Sequence, residues 1–78
     1  MEKVLAAIEE VRVNLGRDIQ FINQQIDCYR HEADEGLISV GQFRRRHASC
    51  KIQLDRTRLR IDALNQCSEV IVNLLKNE

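Results

Sequence analysis

The chain has 78 residues, with 12 basic and 12 acidic side chains in formal balance and 44% apolar residues, which suits one small folded domain rather than a disordered tail. One Tyr, two Phe, no Trp and no Pro argue against a broad-cored α/β enzyme, and no apolar run approaches the roughly 20 residues that cross a bilayer. Three cysteines without a Cys-x-x-Cys point to a reducing cytoplasm rather than a disulfide scaffold, and Glu2 stands where a secretory leader would carry positive charge.

The first predicted element is a helix over about residues 2–35. Its apolar line runs Leu5 (with Val4), Ile8, Val11, Leu15, Ile19, Ile22, Ile26, Tyr29 and Ala33, in the steps of three and four that keep side chains on one helix face. Gly16 interrupts it at a cost of about 1 kcal/mol relative to Ala. With Val13 on its flank, Gly16 reads as a close crossing between chains. Gly36 is placed as the left-handed residue just past the helix end, with Leu37 able to fold back on the last turn. The turn takes residues 36–38. Ser39-Val40-Gly41-Gln42 then reads as a capping box, with Ile38 and Phe43 as its hydrophobic staple. A second helix follows over about 39–76. Its line of Phe43, His47, Cys50, Leu54, Thr57, Ile61, Leu64, Ser68, Ile71 and Leu75 is an unbroken heptad alternation. Each helix would be about 50 Å long or slightly more.

In an antiparallel hairpin, facing residues have numbers that add to a constant. Ala33 with Phe43, Ile26 with Cys50, Ile22 with Leu54, Ile19 with Thr57, Leu15 with Ile61 and Leu5 with Ile71 all add to 76. Large side chains meet small ones, which favours dense packing. The turn, Glu35-Gly36-Leu37-Ile38-Ser39 followed by Phe43, resembles the helical-hairpin turns of short bacterial oligomerisation domains and of the coiled-coil arms of large serine recombinases. That resemblance implies a coiled-coil hairpin and carries no activity across. The expected fold is therefore all-α: residues 1–78 form a single antiparallel two-helix hairpin. Glu2 in the first turn and Lys76 in the last suit their helix dipoles and give the chain complete-looking ends.

A two-helix layer has one interface, and the sequence supplies material for another. Val13, Phe21 and Cys28 lie off the first seam; Ile52, Leu59, Ala63, Val70 and Leu74 lie largely opposite the second. A second apolar stripe usually faces another chain. The expected assembly is a dimer that completes a four-helix bundle, with Val13, Phe21, Cys28, Ile52, Leu59 and Val70 as oligomer- or partner-binding residues.

Arg44, Arg45, Arg46, Lys51, Arg56, Arg58 and Arg60 make residues 40–60 strongly basic. Arg44, Arg45, Arg46, Lys51, Arg56 and Arg60 are candidates for contacting an acidic partner or phosphate. The competing explanation is an electrostatic clamp. Glu32, Asp34 and Glu35 oppose their own helix dipole, as do the arginines, but lie across the turn from them. The sum of 76 puts Glu32 opposite Arg44, Asp18 opposite Arg58, and Arg30 in a mismatch with Arg46. Cys28, His31, His47 and Cys50 have spacings that could bind zinc, but His47 and Cys50 read better as seam residues, His47 with Tyr29 opposite for a hydrogen bond. No metal or other cofactor is expected.

No catalytic motif is present, so the expected function is a small non-enzymatic protein-binding module, an adaptor, assembly factor or inhibitor of the phage type. It would act through its helix faces as a homo-oligomer, with a protein partner, no membrane and no small-molecule substrate. The alternatives are a nucleic-acid-associated regulator using helix residues 44–60, or a structural coiled-coil piece of a larger assembly.

Overall fold

The computed structural model describes residues 2–77. Helix α1 spans Glu2–Asp34 and helix α2 spans Val40–Lys76, and they pack along their length as an antiparallel hairpin. The all-α hairpin read from the heptads is the fold. The molecule is a rod, 61 Å long and 15 by 11 Å across, with a Cα radius of gyration of 17.8 Å. A compact chain of this length would have about 11–12 Å.

The turn is built by hydrogen bonds that the sequence specifies. Gly36 has φ 77°, the left-handed region that glycine enters without steric cost. Its N–H donates to the Ala33 carbonyl at 3.1 Å and the Leu37 N–H to the Glu32 carbonyl at 2.8 Å, the bond pair of a Schellman end. On the other side, the Gln42 N–H donates to Ser39 Oγ at 3.1 Å, and the Ser39 N–H donates to Gln42 Oε1 at 2.9 Å. The capping box is thus complete. Leu37 does not fold back: it is 70% exposed. Its backbone closes the turn while Ile38 and Phe43, both half-buried, supply the apolar cover.

The seam holds Leu15, Ile22 and Ile26 of α1 against Cys50, Leu54 and Thr57 of α2, all buried. Ile22, Ile26, Cys50 and Leu54 form one cluster, with Ile19 and Tyr29 packed on it. Thr57 is a buried polar residue whose hydroxyl donates to the Gln53 carbonyl at 2.8 Å.

One seam position differs from the expectation. Val11 is 47% exposed, and Arg12 is the half-buried residue. The reason is geometric. A strict alternation from Ile8 to Leu15 steps four and then three, and so passes through residue 12; passing through Val11 needs two consecutive fours before Ile19. The arginine tolerates the seam because Nη1 donates to Asn65 Oδ1 at 2.9 Å and Nη2 reaches Glu9. Toward the open end, Leu5, Ile8, Leu64, Ile71 and Leu75 are only half-buried. Among the described residues, every buried one lies between Arg12 and the turn.

Candidate interaction faces

Heptad positions on the two helices decide which flanking residues share an edge of the hairpin. In an antiparallel pair, the row just before the seam row of Leu5, Arg12, Ile19, Ile26 and Ala33 on α1 lies beside the row just before His47, Leu54, Ile61, Ser68 and Leu75 on α2. Here those rows are Val4, Val11, Asp18, Gln25 and Glu32 on α1, and Arg46, Gln53, Arg60, Cys67 and Leu74 on α2. Their facing members add to 78, not 76. The ion pair between Glu32 and Arg46, 3.6 Å, is one such pair. Asp18 and Arg60 border a shared groove, with Phe21 and Arg56 in its wall. We call this edge the apolar face, because toward the open end it carries Val4, Val11, Cys67 and Leu74 with Ala7 and Val70 outside them, and no charge.

The opposite, charged face carries acids and bases from both helices. Glu9, Asp27 and Arg30 come from α1, and Arg44, Lys51, Asp55, Arg58 and Asp62 from α2.

These two edges separate the candidates. Phe21 (60% exposed), Cys28 and Val70 (59%) stand on the apolar face. Val13 is exposed on the charged face, and Ile52 and Leu59 are exposed on the back of α2, opposite its seam. The structure therefore brings together three of the six and leaves the others apart. Val4, Val11 and Leu74, exposed at 48%, 47% and 52%, belong with the first group. Lettering both helices by heptad would have found them.

The clamp across the turn is narrower than the sequence suggested. Arg46, not Arg44, meets Glu32, and its guanidinium also lies over the Tyr29 ring, 5.1 Å from the centroid. Arg44 and Arg58 belong to the charged face, so neither Glu32–Arg44 nor Asp18–Arg58 forms: the sum of 76 governs the seam and not its flanks. Arg45 Nε instead donates to the Gly41 carbonyl at 3.5 Å. Lys51, Arg56 and Arg60 are exposed. Among the described residues no ion pair engages Arg44, Arg45, Lys51, Arg56 or Arg60.

His47 makes no hydrogen bond to Tyr29. Its ring lies tilted at 35° against Phe43, with centroids 5.7 Å apart, while Tyr29 is covered by Arg46. His31 reaches Glu35 at 3.0 Å. Cys50 is buried, Cys28 and Cys67 are exposed, and none forms a disulfide. No group of three or more His, Cys, Asp or Glu side chains among the described residues could hold a metal ion. No described helix is long and apolar enough to cross a membrane.

No protein family, curated protein or solved structure matches the chain.

Proposed function

We propose that this chain is a non-enzymatic protein-binding module that works as a homo-oligomer and engages a second protein through its helix faces, in the reducing compartment that three free cysteines suit. The observation that carries it is surface area. A compact chain of 9.1 kDa exposes about 4,900 Å², whereas this one exposes 6129 Å². The apolar side chains of Val4, Val11, Val70 and Leu74, each about half exposed, share one edge near the open end, and contiguous patches of that kind mark interaction sites.

Sedimentation equilibrium across a wide range of protein concentration tests the oligomer. The expected result is a mass of at least twice 9.1 kDa that dissociates on dilution. A monomer at millimolar concentration would refute it.

A second reading, a nucleic-acid-associated regulator, is favoured by one observation: Arg44, Arg45, Lys51, Arg56 and Arg60 are exposed and, among the described residues, form no ion pair, whereas Arg46 pairs with Glu32. It predicts binding to mixed-sequence oligonucleotides that weakens steeply with salt. An electrophoretic shift at low and high salt separates the two readings.

A further inference from the structure

We infer that the apolar face binds a second copy of this chain, with the two hairpins stacked face to face about a two-fold axis parallel to their long dimension, turn beside turn. The inference rests on the homo-oligomeric reading and specifies its surface and its geometry.

Three observations select the occupant and its orientation. The first is where the hairpin is incomplete. Among the described residues, all six that are buried lie between Arg12 and the turn, and the seam toward the open end is only half-covered. The apolar part of the face sits on this same end, where Ala63, Cys67 and Val70 border a shallow apolar groove. One added layer would cover that end where a single hairpin cannot.

Area is the second. The hairpin exposes 6129 Å², roughly 1,200 Å² more than a compact chain of its mass. A standard interface removes about 800 Å² from each partner, so one copy on one face accounts for most of the excess.

Charge is the third, and it fixes the axis. On this face α1 contributes acids and no base, Asp18 and Glu32, while α2 contributes bases and no acid, Arg46, Arg56 and Arg60. Two identical hairpins can stack on this face about a two-fold axis in two ways. An axis across the rod lays α1 on the partner's α1 and α2 on the partner's α2 with levels reversed, so that Asp18 meets the partner's Asp18, Arg56 and Arg60 meet the partner's own basic pair, and Glu32 and Arg46 fall on uncharged surface. It also sets the apolar open end against the polar turn end. An axis along the rod lays α1 on the partner's α2, with levels preserved. Asp18 then approaches the partner's Arg56 and Arg60, and the uncharged ends coincide. Like charges brought together in an interface oppose assembly, and opposite charges fix its register.

Two measurements test this, and each fails differently. With all three cysteines kept, a nitroxide carried by a ketone-bearing amino acid in place of the exposed Leu37 reports on turn-to-turn distance. Helix layers pack about 8–10 Å apart, so the expected separation is about 20–40 Å once label arms are included. A dimer whose labels lie as far apart as the 61 Å rod length overturns the parallel axis but leaves the oligomer standing; a monomeric mass for the parent chain overturns both. The second measurement compares variants by light scattering. Val11→Glu with Val70→Glu is expected to weaken dimerisation by on the order of tenfold or more, while Val13→Glu with Ile52→Glu, both off the face, leaves the mass unchanged. The reverse pattern refutes the assignment of the face. Should the first pair of substitutions unfold the chain, the label distance still decides.

Discussion

Thr57 offers the sharpest test of how the seam is held, because the expected sign is opposite to that of most buried substitutions. It is 7% exposed and occupies a heptad position between Leu54 and Ile61. Its hydroxyl donates to the Gln53 carbonyl, which also accepts the helical N–H bond from Thr57 itself. Thr57→Val therefore removes a donor without leaving a buried group unpaired, and replaces a hydroxyl by a methyl inside an apolar seam. Burying that methyl contributes about 0.8 kcal/mol. Releasing a side chain that bonds back to its own helix adds slightly, since such bonds bend and weaken helices. Helix propensities of Val and Thr are similar. The net expectation is a gain of about 0.5–1.5 kcal/mol, or a rise in Tm of roughly 3–10 °C for a domain of this size. Urea and thermal melts followed at 222 nm, at matched protein concentration, measure it. A loss of stability would show that the hydroxyl holds the helix in a shape the seam requires, and would refute the reasoning.

Other substitutions probe other parts of the fold. Ser39→Ala removes the acceptor for the Gln42 N–H and should cost about 0.5–2 kcal/mol in the same melts. Apart from its chain neighbours and its own helix backbone, nothing lies within 4 Å of where a Cβ on Gly16 would stand, so Gly16→Ala should stabilise by up to about 1 kcal/mol. Because Gly16 lies off the apolar face, sedimentation should show no change in mass; dissociation would restore the crossing role its sequence position suggested. Arg46→Gln should lose about 0.3–1 kcal/mol, less at high salt, whereas Arg44→Gln should be near neutral, since only Arg46 reaches Glu32.

How much of this was legible before the structure depends on which physical rule governs each residue. The turn was fully legible in its backbone, because Gly36 stands where the helix end needs a left-handed residue that others adopt only at a steric cost, and the Ser39–Gln42 pair matches the donors a helix start leaves open. The seam of α2 was legible for the same kind of reason, its spacing never breaking. In α1, polarity and spacing disagree at one turn: Val11 is the apolar residue, but Arg12 holds the heptad position, and spacing prevails because the long arginine carries its charge out to Asn65 and Glu9. The flanking ion pairs do not follow from the sequence in the same way, because the arithmetic of facing seam residues does not carry over to residues beside the seam. Exposed apolar positions were identified as exposed, but which of them share an edge follows only from the paired lettering of both helices. Exposure and spacing alone therefore put Val13, Ile52 and Leu59 together with Phe21 and Val70.

The position of Arg12 also sets how the rod comes apart. Among the described residues, every buried one and the cluster of Ile22, Ile26, Cys50 and Leu54 lie on its turn side; on its other side lies only half-covered seam. Opening the outer segment costs little apolar burial and stops where the guanidinium ties α1 to Asn65. The chain should therefore unzip in two stages, with amides near residues 4–11 and 66–75 exchanging with solvent well before those near 19–26 and 50–57. If the second copy covers that end, slow exchange there becomes a property of concentration rather than of the chain, and dilution alone loosens one half of the molecule while the other stays closed.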